Sequence, residues 1–187
     1  GIIKGYGDGT VGPNDPTLRA QMAALIARSM GWGGENRGND FPDRGPVDDE
    51  LWRLVGVLQF HNVARGYTDP ATCEATGHAA PCYIPLDQVN RAQTISFITR
   101  AMVTLGYWEQ QIDAPEIYPN IPLSSGHRSD LATYLHYVGP VPGTSSATAN
   151  WEAWDSVSLR SFFAEALYKV VLWRENSSAN WAVLPRP

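Results

Sequence analysis

Three arginines stand at matching places in this chain. Each opens a stretch with helical apolar spacing: Arg19-Ala-Gln-Met-Ala-Ala-Leu-Ile-Ala-Arg28, Arg91-Ala-Gln-Thr-Ile-Ser-Phe-Ile-Thr-Arg100 and Arg160-Ser-Phe-Phe-Ala-Glu-Ala-Leu-Tyr-Lys169. A guanidinium is a planar fork that captures carboxylates bidentately. At the start of a helix it adds to free amides and a dipole that already favour an anion. The same placement also allows each arginine to pin its neighbouring loop by bonding backbone carbonyls. Arginine dominates the basic residues, twelve against Lys4 and Lys169 alone.

Two cysteines, Cys73 and Cys82, share one short loop. A disulfide closing it needs no other residue, contributes about 3 kcal/mol on the chain-entropy estimate and implies an oxidising compartment. Free thiols are an alternative. His78 lies between the cysteines, but two Cys and one His make a poor structural zinc site. No metal and no cofactor is expected. The four histidines (His61, His78, His127 and His136) occupy unmatched positions. Neither a Gly-x-Ser-x-Gly elbow nor a His-Glu-x-x-His motif is present. Asp48, Asp49 and Glu50 read as the charged start of a helix, and no enzyme is expected here.

The elements that must position these residues come from a chain of 187 residues with 43% hydrophobic content, enough for a packed core. Charged residues are 18% and the net charge is -5, which argues against a nucleic-acid wrapper. No apolar run reaches the roughly 18 residues needed to span a bilayer. The sequence starts at Gly1-Ile-Ile-Lys without a basic n-region and reads as the interior of a longer or processed protein. Helices are expected near 17–30, 48–61, 90–105, 128–137 and 157–172, with at most short strands, from apolar spacing and Asp/Ser/Asn start signals. Met22, Leu25, Ile26 and Met30 mark one face of the first.

Self-similarity organises these helices. A shift of 72 superposes the Arg19 and Arg91 stretches. A shift of 77 aligns Phe41-Pro-Asp43 with Tyr118-Pro-Asn120, Leu54 with Leu131, Leu58 with Leu135 and Gly66 with Gly143. The unit is helix, glycine loop, helix, repeated about three times, with the first leading helix missing. Gly5, Gly7, Gly9 and Gly12 suit a tight turn; a nucleotide loop would need a βαβ context that is absent.

The opening run Gly1-Ile-Ile-Lys-Gly-Tyr-Gly-Asp-Gly-Thr-Val-Gly-Pro-Asn-Asp-Pro-Thr-Leu-Arg-Ala-Gln resembles the S-layer homology (SLH) domain. That family shows an aromatic-x-Asp opening, a helix, Gly-Ile-Ile-x-Gly-x-x-Asp-Gly-Thr-Phe-x-Pro, and Thr-Arg-Ala-Glu at a second helix. The chain departs from the pattern where Leu18, Asn90 and Leu159 replace the Thr, and Gln21, Gln93 and Phe162 replace the Glu. The resemblance implies a mainly α fold, a pseudo-threefold bundle of tandem helix-loop-helix repeats. The repeats span 1–40, 41–116 with the cysteine insertion, and a degenerate 117–173, before a tail at 174–187.

It further implies an extracellular, non-catalytic module at the cell surface, holding a protein non-covalently on an anionic envelope polysaccharide. Arg19, Arg91 and, more weakly, Arg160 would meet a carboxylate or ketal-linked pyruvate, in pockets shaped by Gly5, Asp8, Gly9 and Gly66. Trp32 and Trp108 follow equivalent helices and would either stack on sugars or cap the core. Trp52 reads as structural, Trp151 and Trp154 as packing or chain-contact residues, and Trp181 as a docking anchor in the tail. Two other roles fit the same resemblance: a subunit that assembles with copies of itself into a surface layer or filament, and the targeting part of an envelope hydrolase. No nucleic acid and no transmembrane segment is expected.

Overall fold

The computed structural model describes residues 2–5, 7–112, 117–146 and 148–176. Trp181 lies outside them. The described chain is mainly helical: α1 Arg19–Ser29, α2 Asp49–Phe60, α3 Pro70–Glu74, α4 Arg91–Thr104, α5 Arg128–Val138 and α6 Arg160–Asn176. Extended structure among the described residues is limited to isolated bridges. No described helix is long and apolar enough to cross a membrane.

The five expected helices form within a few residues of their expected ends. Asp48 caps α2 by accepting from Leu51 N–H, and Asn90 caps α4 by accepting from Gln93 N–H. Asn90 thereby supplies the cap that a Thr would have given. Gln21 and Gln93 reach back to the Leu18 and Asn90 N–H groups, which is the reciprocal half of a capping box. The short α3 falls inside the cysteine insertion, where no helix was expected; Asp69 caps it and Pro70 opens it.

The described residues form two compact units. In the first, residues 2–12 and 17–89, α1 packs on α2. Met22 and Ile26 of α1 and Leu54, Val55, Val57 and Leu58 of α2 are fully buried, each such side chain contributing about 1.5–3 kcal/mol. The spacing of α1 suggested one apolar face, yet every residue from Arg19 to Ala27 except Gln21 is buried. Its alanines are small enough to bury against neighbours on the remaining sides. In α2, Gly56 admits the backbone of the preceding segment: a Cβ there would sit 2.6 Å from the Arg37 carbonyl oxygen.

In the second unit, residues 13–16 and 90–176, α4 packs on α5 and both meet α6. Its core holds Ile95, Ile98, Leu131, Tyr134 and Phe163. The Tyr134 hydroxyl donates to the Ala166 carbonyl at 2.9 Å, so its burial leaves no unpaired donor.

Candidate functional site

The aromatic-Pro-acid signature is a clamp. In the first unit Asp43 is buried, and its carboxylate accepts from Tyr83 N–H at 2.9 Å and Ile84 N–H at 2.5 Å. Phe41 lies 5.3 Å from the Tyr83 ring. In the second unit Asn120 does the same for Trp151, accepting from its N–H at 2.8 Å and donating to its carbonyl at 3.1 Å. Tyr118 lies 5.7 Å from the Trp151 ring. Each clamp fixes the loop that runs into a helix-opening arginine or its neighbour.

The cysteines form a disulfide, Cys73–Cys82, with Cα atoms 5.7 Å apart. Beside it, Tyr67 N–H donates to the Cys82 carbonyl at 2.7 Å and Cys82 N–H returns to the Tyr67 carbonyl at 3.1 Å. Gly66 makes this approach sterically feasible. Its φ is +67°, and a Cβ would fall 2.4 Å from Phe41 Cε1 and 2.8 Å from the Cys82 carbonyl oxygen.

That loop delivers Tyr67 and Tyr83 to Arg19. The Arg19 Nε donates to the Tyr83 carbonyl at 2.6 Å, and one terminal nitrogen donates to the Tyr67 hydroxyl at 3.3 Å. The guanidinium carbon lies 4.6 Å from the Tyr67 ring centre and 4.8 Å from that of Tyr83. Tyr83 returns a bond from its hydroxyl to the Arg19 carbonyl at 2.9 Å. Burial pushes the Tyr83 phenol up to about 12, with the Arg19 charge acting against that rise. Arg19 is only 5% exposed, and among the described residues no carboxylate pairs with it.

Arg91 keeps the ring contact but not the Nε hydrogen bond of Arg19. Its guanidinium carbon lies 5.1 Å from the Phe162 ring centre, and its Nε is buried without a hydrogen-bond partner. It too has no carboxylate partner among the described residues. Arg160 is half-buried at the start of α6, with polar interactions of its own. The second basic position of each helix behaves differently. Arg28 pairs with Glu50 at 2.8 Å and Arg100 with Asp130 at 2.9 Å, while Lys169 donates to the Pro140 carbonyl at 3.0 Å.

The helix amides correct one expectation. The Arg19 and Ala20 N–H groups donate to the Asp87 and Pro85 carbonyls, at 2.8 and 3.0 Å. Arg91 and Ala92 do so to Ser156 and Trp154, and Arg160 and Ser161 to Asp15 and Pro13. At all three helix starts the first amides are therefore spent on a neighbouring loop. An anion there gains little from these first two amides, because an amide N–H already bonded to a carbonyl has little left to offer.

Asp8 is exposed and accepts from Thr10 N–H and hydroxyl at 2.9 and 2.8 Å, and these bonds hold its carboxyl below the usual range. Gly9 has φ +85°, and a Cβ on Gly5 would sit 2.5 Å from the Thr10 carbonyl oxygen. These residues shape the turn. Trp32 is 7% exposed and stacks on His61 at 3.9 Å; Trp108 is 2% exposed and stacks on Tyr137 at 5.2 Å. Both rings are packed against another ring on one face. Sequence reasoning missed Asp43, Tyr67, Tyr83 and Phe162. The alignment of Phe41-Pro-Asp43 with Tyr118-Pro-Asn120 was the signal for the clamp, and Tyr67 stands directly after an aligned glycine.

Residues 1–23 match the model of a known family, the S-layer homology domain. The matched stretch ends just after Arg19, so it carries the Gly5–Gly12 loop and the opening of α1. The comparison with curated proteins returned no match. Domains of this family bind cell-wall polysaccharide and anchor proteins at the cell surface.

Proposed function

We propose that this chain is an extracellular, non-catalytic anchoring module that holds a surface protein on an acidic cell-wall polysaccharide through Arg19 and Arg91, with Arg160 contributing less. The observation that carries the reading is the state of the first arginine in α1 and in α4. Arg19 is buried beside two aromatic rings, Arg91 is half-buried with its Nε enclosed beside one, and neither has a carboxylate partner among the described residues. A desolvated cation without a counter-ion favours an incoming anion. A carboxylate or ketal-linked pyruvate on a sugar offers two planar oxygens to such a fork. The second arginines, Arg28 and Arg100, are neutralised by Glu50 and Asp130 and are excluded from this role. Trp32 and Trp108 enter the site only if their rings come out of the packing described above.

The test is retention of the chain on purified cell-wall polysaccharide before and after mild acid removes ketal-linked acidic groups. The expected result is binding that falls with added salt and is lost after acid treatment. Equal retention on the treated polymer would overturn the acidic-ligand reading.

A further inference from the structure

The second unit has an open groove of about 260 Å³ between the end of α5 and the outer half of α6, lined by Tyr137, Val138, Lys169, Leu172, Trp173 and Asn176. We propose that it is a subsite for a carboxylated pyranose, a uronate unit, separate from the helix-opening arginines; this rests on the acidic-polysaccharide reading above.

Two of the walls are aromatic and packed on a third ring. The Tyr137 and Trp173 rings meet at 79° with centroids 5.7 Å apart. Trp108 lies parallel to Tyr137 at 5.2 Å and edge-on to Trp173 at 5.5 Å, bracing both from behind. Such a corner suits the flat C–H face of a sugar ring. The polar groups then choose which sugar. Lys169 gives one of its three ammonium donors to the Pro140 carbonyl at 3.0 Å. Among the described residues no carboxylate pairs with it. Asn176 donates from its amide nitrogen to the Leu172 carbonyl at 2.8 Å, which leaves its own carbonyl oxygen able to accept from a hydroxyl.

A ligand matching these groups has an apolar ring face, one carboxylate and adjacent hydroxyls. A purely apolar occupant would desolvate the ammonium with no compensation. A neutral sugar would leave it without a counter-ion. The groove's volume falls just below the range typical of drug-sized ligands, which fits a single sugar unit lying on it.

The experiment follows the tryptophan indole N–H signals of the full chain by nitrogen-15 NMR during titration with glucuronate, and separately with glucose. Saturable shifts at Trp173, with glucuronate preferred by about tenfold or more, are expected. Lys169→Met should erase that preference, Lys169→Arg should restore it, and Trp173→Leu should remove binding of both sugars. Equal affinity for the two sugars, an unchanged preference in Lys169→Met, or no shift at Trp173 would each overturn the subsite. The two readings fail separately. Loss of polysaccharide retention in Arg19→Ala with no glucuronate shift at Trp173 sinks the subsite alone. Glucuronate shifts in a chain that ignores wall polysaccharide support the subsite while sinking the anchoring role.

Discussion

The two units pin their first helix pair with the same device under different conditions. In each, the arginine nine positions into a helix reaches a carboxylate in the first turn of the next: Arg28 to Glu50, and Arg100 to Asp130. The distances are nearly equal, at 2.8 and 2.9 Å. Glu50, however, is 47% exposed and shared with Lys4, whereas Asp130 is 4% exposed. Distance therefore says little about what each pair is worth, and burial says most. A surface pair contributes about 0–1 kcal/mol. Removing one partner of a buried pair leaves an uncompensated charge and costs about 3–5 kcal/mol.

The largest predicted effect follows directly. Asp130→Ala should lower unfolding free energy by about 3–5 kcal/mol in denaturant titration, and a loss under about 1 kcal/mol would break the contrast. Next comes the loop that only the first unit carries. Between the loop glycine and the clamped aromatic, the first unit runs from 66 to 83 and the second from 143 to 151. The extra length is the Cys73–Cys82 segment. Replacing both cysteines by serine should cost about 3 kcal/mol, read as a lower melting temperature than the oxidised parent. An unchanged melting temperature would mean that the Asp43 clamp fixes this loop without the bridge.

The clamps sharpen the comparison at smaller cost. Asp43 accepts twice and donates nothing, while Asn120 both accepts from and donates to Trp151. Asn120→Asp would place a carboxylate oxygen against the Trp151 carbonyl and should cost about 1–3 kcal/mol, measured by denaturant titration. A neutral or stabilising outcome would show that the two clamps are interchangeable.

The smallest effect belongs to the exposed pair. Hydrogen bonds from Lys4 and Arg28 lower the Glu50 carboxyl from 4.5 to about 2. A carboxyl whose folded pKa is depressed contributes stability above its unfolded pKa, and loses it as pH falls through the folded one. Stability should therefore decline modestly from about pH 4.5 towards pH 2, and Glu50→Gln should flatten that part of the profile. A steeper decline in Glu50→Gln than in the parent would contradict the assignment.

Much of this was legible in the sequence. Helix positions followed from apolar spacing and caps, because those signals are local. The disulfide followed from two cysteines isolated in one loop. The repeat alignment placed Asp43 opposite Asn120 but did not say what they hold, since their partners Tyr83 and Trp151 lie far along the chain behind loops of different length. The role of Gly56 was illegible for a similar reason: its neighbour is the backbone at Arg37 and Gly38, and backbone leaves no mark in side-chain patterning. The helix amides were misread as open to an anion. Whether a first-turn N–H is free depends on a carbonyl brought in by tertiary packing, which no local pattern encodes.

The central claim is that Arg19 and Arg91, more than Arg160, hold an acidic glycan. Titration of wall polysaccharide against Arg19→Ala, Arg91→Ala and Arg160→Ala, each confirmed as folded by circular dichroism, measures it most directly. The expected result is an affinity loss of about 2–5 kcal/mol for each of the first two variants and far less for the third. Folded Arg19→Ala and Arg91→Ala proteins that bind like the parent would contradict the account and leave both arginines with a loop-pinning role alone.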